Sequence, residues 1–243
     1  MPSYRDEVIV LRTHKLGEAD RIVTVLGKTH GKIRAVAKGV RKTGSRIGSR
    51  LEPFNVADVQ FYEGKNLDTV QQVETVAMLG SDLAADYDLY TTGTAMLETA
   101  DRLTDHDHSS AQYQLLLGGL KALATKAHPA ELILDSYILR ALSIAGWTPE
   151  LSMCVLTGEE GAHTHFLITA GGVVSDVAAP PGTPRLKPES IALLTALLAG
   201  DWVIADASDP TARREARGIV AAYLQFHLER SIKSLSHIDS RTT

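Results

Sequence analysis

The chain has a single cysteine, Cys154, among 243 residues. It can therefore close no internal disulfide, and such sparing use fits a reducing compartment. No apolar run approaches the roughly 18 residues that span a bilayer. The opening stretch MPSYRDEVIVLRTHKLGEADR has no cationic segment leading into an apolar one, so it does not read as a secretory leader. Together these absences predict a soluble, cytoplasmic protein. A Walker-type phosphate loop is also missing, which argues against use of ATP. Aromatic residues are scarce: the first 80 positions hold only Tyr4, Phe54, Phe61 and Tyr62.

One long stretch lacks acid. From Lys28 to Leu51 there is no Asp or Glu, while Lys28, Lys32, Arg34, Lys38, Arg41, Lys42, Arg46 and Arg50 place +8 in a chain of formal net charge -4. A charge run is commonly just a solvated face, but such faces interleave acids with bases. An unrelieved cluster raises the local potential and attracts polyanions. The imbalance is regional: residues 1–80 carry 13 basic and 9 acidic groups, net +4, which leaves -8 for the rest. That split marks a module with its own polyanionic partner.

The local patterning gives this module a shape. In KIRAVAK, Lys32, Arg34 and Lys38 alternate with Ile33, Ala35 and Ala37, and a period of two sends the cations to one face of a strand that Val36 interrupts. EVIVLR, RIVTVLG, NVADVQFY and LDTVQQVETV are similar short runs, rich in Val, separated by polar or Gly-containing breaks. Five strands with no room for crossover helices predict a small antiparallel barrel or sandwich over residues 1–79. GVRKTGSRIGSR becomes the loop between its third and fourth strands.

After residue 80 the period lengthens to that of helices. Helices are predicted over 81–104, 109–127 and 128–147, the third with Pro129 in its first turn and Gly146 as its C-terminal cap. Apolar residues surround this third helix, which marks it as buried. A proline-rich break covers about 147–187, followed by PESIALLTALLAG and by a final helix capped by Asp209 and begun by Pro210.

A five-stranded antiparallel module with a basic face is the outline of an OB-fold, which commonly binds nucleic acid. Stacking of bases needs aromatic platforms, and Phe54 and Phe61 suit a core equally well. The module is therefore expected to hold phosphates rather than read bases, which leaves DNA and RNA poorly distinguished.

At this point the residues resemble a known family. Arg12 with GEADR (Gly17–Arg21), then THGKIRAVAKGVRK (Thr29–Lys42) with Ser45 and Arg46, then LEPF (Leu51–Phe54) resemble the amino-terminal OB domain of the bacterial RecO proteins. Similarity continues through SYILRALSIAGWTPEL, DWVIADASDP and AAYLQFHLER, so it covers essentially the whole chain. The resemblance implies an α+β multidomain protein: an OB-fold DNA-binding domain at 1–79 and an α-helical domain at 80–243 with a zinc-finger-like insertion at about 150–180. It implies a non-enzymatic, nucleoid-associated recombination mediator. Such a protein binds single- and double-stranded DNA and anneals complementary strands. With RecR it helps load RecA onto DNA coated by single-strand-binding protein. It further implies that basic surface extends onto the helical part, for which Arg213, Arg214 and Arg217, then Arg230 and Lys233, are candidates.

Many members of that family carry a zinc site of the form C-x-x-C-G followed by G-G-x-x-C-x-x-C. The corresponding positions here are Cys154, Thr157, Ser175 and Ala178. One ligand of four remains, so no cofactor is expected and the scaffold is degenerate. His163 and His165 could join Cys154 in a substitute site, though that spacing is not a recognised one. Two other functions compete. Asp101, Asp105, His106, Asp107 and His108 could imitate a metal-dependent nuclease, although the segment also suits a hydrated interhelical loop. Alternatively the chain is an adaptor for RecR and single-strand-binding protein, with incidental DNA affinity.

Overall fold

The computed structural model describes residues 2–42, 45, 47–104 and 110–239, the last ten of these as backbone only. Its first part is built from β1 (Ser3–Leu16), β2 (Asp20–Gly27), β3 (Gly31–Ala37), β4 (Val56–Tyr62) and β5 (Asp68–Ala77). These are the five strands expected from the alternation. They close a barrel in the order β1-β2-β3-β5-β4. Four of the pairings are antiparallel. The barrel is closed by a short parallel pairing of Ala35 and Val36 with Asp68 and Thr69, a departure from a purely antiparallel sheet.

Period-two alternation fills the interior. Val8, Val10, Val23, Val25, Ile33, Ala35, Ala37, Val59 and Phe61 form one buried cluster with Leu51 and Val40, and each large side chain removed from water contributes about 1.5–3 kcal/mol. β1 is buried on both faces in its middle, since Ile9 and Leu11 are as enclosed as Val8 and Val10. Part of the outer face, over β1 and β2, is covered by helices of the same compact unit. These are α1 (Leu79–Ala84), α2 (Tyr87–Leu103) and α3 (Ser110–Ala124), of which α2 packs on β1 and α3 on β2. Tyr113 on α3 donates to Glu7 Oε1 on β1 at 2.9 Å.

The single helix expected over 81–104 is two. Asp86 turns its backbone out of the helical region and its side chain accepts from the N–H groups of Asp88 and Leu89. A carboxylate so placed starts a new helix.

Compactness divides the chain into Met1–Ala130 and Glu131–Thr243. The barrel ends at Ala77, beside the expected boundary, but α1–α3 join it in one unit. The second unit contains α4 (Ala130–Ile144), β6 (His165–Leu167), β7 (Gly172–Val174), α5 (Pro188–Ala199), α6 (Trp202–Asp206) and α7 (Pro210–Asp239). Nine residues of α4 are buried, Leu132, Tyr137 and Leu142 among them, as its apolar circumference predicted. Asp209 caps α7 by accepting from Thr211 and Ala212 N–H at 2.7 and 3.1 Å. No helix among the described residues is long and apolar enough to cross a membrane.

Candidate nucleic-acid interface

The alternation of β3 turns Ile33, Ala35 and Ala37 into the barrel and Lys32, Arg34 and Val36 outward. The outward cations then diverge. Lys32 is only 17% exposed, and its ammonium donates to the Asp101 carbonyl at 2.7 Å and lies 3.6 Å from the Asp101 carboxylate on α2. Arg34, Lys38 and Lys42 are exposed, and no acidic partner faces them among the described residues. Arg41 is exposed as well, but donates to the Gly17 carbonyl at 2.9 Å, tying the chain after β3 to the β1–β2 turn. Arg50 donates to the Val73 carbonyl at 2.6 Å, and Lys28 stands 3.6 Å from Glu7. Arg46 lies outside the described residues. The run of eight is thus partly structural glue and partly free charge.

Two exposed cations escaped the sequence reading. Lys15 lies opposite Arg21 in the β1–β2 register, and Lys65 sits in the turn between β4 and β5. Both fall outside the acid-free run on which the sequence reading rested.

Beside Arg34 the barrel surface opens into a groove of about 780 Å³, lined by the beginning of β1, the β2–β3 turn, β3 and the β4–β5 connection. The rings of Tyr4 and His30 lie in it with centroids 4.5 Å apart. Asp6 is 5% exposed and fixes the imidazole: its Oδ2 accepts from His30 Nδ1 at 2.9 Å and from the His30 backbone N–H at 2.8 Å. A carboxylate can only accept here, so Nδ1 carries the hydrogen. The Tyr4 hydroxyl donates to Asp68. Its pKa is pushed well up, first by burial and then by that bond. Phe54 and Phe61 are core residues.

In the second unit the basic candidates are mostly engaged. Arg213 donates from Nε to Ser208 Oγ at 3.0 Å and from Nη2 to the Asp206 carbonyl at 2.9 Å. Arg217 Nε lies 3.6 Å from Asp135, a 4% exposed carboxylate, and Nη2 donates to the Glu131 carbonyl at 3.4 Å. Arg214 is exposed. The side chains of Arg230 and Lys233 lie outside the described residues.

Around Cys154 the structure forms a polar nest. Cys154 is fully buried, and its Sγ accepts from the Ser175 N–H at 3.3 Å. The Thr157 hydroxyl, with the N–H groups of Ser175, Leu156 and Thr157 against the opposing effect of desolvation, brings the thiol pKa down to about 6. Gly172 is required by contact: a Cβ there would come 2.5 Å from the Glu150 carbonyl. His163 turns to the Glu159 carbonyl at 2.8 Å and His165 to Asp176 at 3.1 Å. One thiol beside two hydroxyls, with alanine at position 178, does not fit a structural zinc site. Among the described residues no three His, Cys, Asp or Glu side chains gather as a metal-binding group. Asp105, His106, Asp107 and His108, the body of the nuclease-like cluster, lie outside the described residues, and Asp101 is occupied by Arg12 at 2.9 Å.

A closed OB-type barrel with cations on the outward face of its third strand, followed by a helical region, defines an OB-barrel multidomain protein. The family described as Recombination protein O N terminal matches residues 1–79, and Recombination protein O C terminal matches residues 84–236. The chain is 51% identical over 241 residues to the DNA repair protein RecO of Nocardioides sp., covering 97% of this chain and 99% of that one. To the DNA repair protein RecO of Thermobifida fusca it is likewise 51% identical over 241 residues, with coverage of 98% and 99%. The chain therefore belongs to the recombination protein O family of DNA repair proteins.

Proposed function

We propose that the protein is a cytoplasmic recombination mediator that binds single- and double-stranded DNA through backbone phosphates and anneals complementary strands. With RecR it helps load RecA onto DNA coated by single-strand-binding protein. The observation that carries this reading is the free charge of Arg34, Lys38 and Lys42, exposed in a segment without acid. Contacts to phosphates neutralise two approaching strands without occupying the base edges that must pair. The activity breaks no bond, and it draws on no resident zinc.

The relatives named DNA repair protein RecO support the recombination context. Engagement of Lys32, Arg50, Arg213 and Arg217 within the fold favours a second reading, an adaptor whose DNA affinity is incidental. Replacing Arg34, Lys38 and Lys42 together with Ala separates the two. A mediator loses annealing of complementary oligonucleotides while keeping its fold and RecR binding. An adaptor keeps RecR binding and repair in cells alike.

A further inference from the structure

We infer that the groove beside Arg34 receives one unpaired nucleobase of single-stranded DNA while the adjoining phosphate lies outside it on the Arg34 guanidinium. The inference rests on the DNA-binding reading above and adds to it a subsite that holds one base at a time, leaving the edges of the neighbouring bases free to pair.

The chemistry of the walls separates base from phosphate. Glu63 and Asp68 line the groove with Asn66, and the ammonium of Lys32, which also lines it, is bound to Asp101, so the two carboxylates are left to repel a phosphate at close range. Glu63 and the Asn66 carbonyl, with Asp68 already accepting from the Tyr4 hydroxyl and the Gly64 N–H, accept hydrogen bonds that the exocyclic amines of cytosine, adenine and guanine donate, whereas thymine lacks such an amine and offers only its ring N3–H. Arg34 lines the same groove and is exposed, so the positive charge needed by the backbone stands next to the polar cradle.

The platform is rigid. Tyr4 stacks on the buried Phe61 ring with centroids 5.3 Å apart, and its hydroxyl is tied to Asp68. His30 leans on Tyr4 and is held from behind by Asp6, so its ring offers a flat surface already fixed before a ligand arrives. Pre-ordered aromatic rings bind a base with little loss of side-chain freedom. A base inside a duplex has its pairing edge engaged and its faces stacked, so it cannot enter without being flipped out. The groove therefore prefers single strands, a preference that phosphate contacts alone do not supply.

Asn66→Ala and His30→Asn test this in the full chain, the latter keeping a side-chain donor for Asp6 while removing the ring. Affinities for oligo(dC), oligo(dT) and a duplex are measured by fluorescence anisotropy, with salt titrations. The expected result is an oligo(dC) affinity lowered about tenfold in each variant, an unchanged duplex affinity and salt slope, and loss of the parent's preference for oligo(dC) over oligo(dT). If His30→Asn fails to fold by circular dichroism, Asn66→Ala decides alone. Equal losses on single strands and duplex, or no loss on oligo(dC) while Arg34→Ala weakens both, overturn the base subsite and leave phosphate binding intact. A parent protein that binds no DNA at low salt overturns both.

Discussion

Asp135 is enclosed on α4, and the loss of water pushes its carboxyl up to about 6 even though Arg217 opposes the shift. A carboxyl raised above its unfolded value of about 4 takes up a proton more readily in the native state. Its stabilising contribution is complete below pH about 4 and is lost as pH rises through about 6. Acidification from neutral to pH about 5 should therefore stabilise the second unit by roughly 1 kcal/mol through this group. Asp135→Asn should remove that increment, read as the difference between parent and variant in urea unfolding at the two pH values. Parallel pH profiles would contradict it. At Gly93 on α2, a Cβ would approach the buried Phe54 ring to 2.9 Å. Gly93→Ala gains helix propensity but overpacks the Phe54 ring, which is buried and already in edge contact with Tyr90. The net expectation is a loss of about 1–2 kcal/mol in denaturant unfolding. Thr157→Val should raise the Cys154 titration, seen in thiolate ultraviolet absorbance, because the hydroxyl makes the largest contribution to lowering it.

At the scale of elements, β3 divides its own cations. Lys32→Ala should lower stability more than DNA affinity, since its ammonium bonds the carbonyl of Asp101 on α2. Removing Arg34, Lys38 and Lys42 should reverse that ranking, weakening single strand and duplex alike while unfolding midpoints stay near the parent value. Strand alternation made the outward face of β3 readable from its residues alone. It could not show that α2 covers one end of that face, because the contact joins residues 69 positions apart. The split of one expected helix into α1 and α2 was readable in principle. Asp86 is a good capping residue, but continuous apolar spacing hid the interruption. The short α6 went unnoticed because five residues give too little period to detect.

For the molecule as a whole, phosphate binding fixes a salt law. With about three to five contacts, from Arg34, Lys38 and Lys42 together with the exposed Lys15 and Lys65, the logarithm of single-strand affinity should fall against log salt with a slope of roughly -2 to -3.5. A slope near zero in an anisotropy titration would exclude the phosphate-based mechanism. The sequence alone determined the barrel and helical regions, the sign and place of the basic run, and the presence of a single cysteine. Each of these is written in neighbouring residues, as a period, a composition or a spacing. Only the tertiary structure decided which cations are free, which acids hold the others, and that Tyr4, His30 and Asn66 line one groove. Those outcomes depend on elements distant in the chain, since the partner of a charge and the far wall of a groove are set by closure of the barrel and packing of helices, and no local pattern contains them.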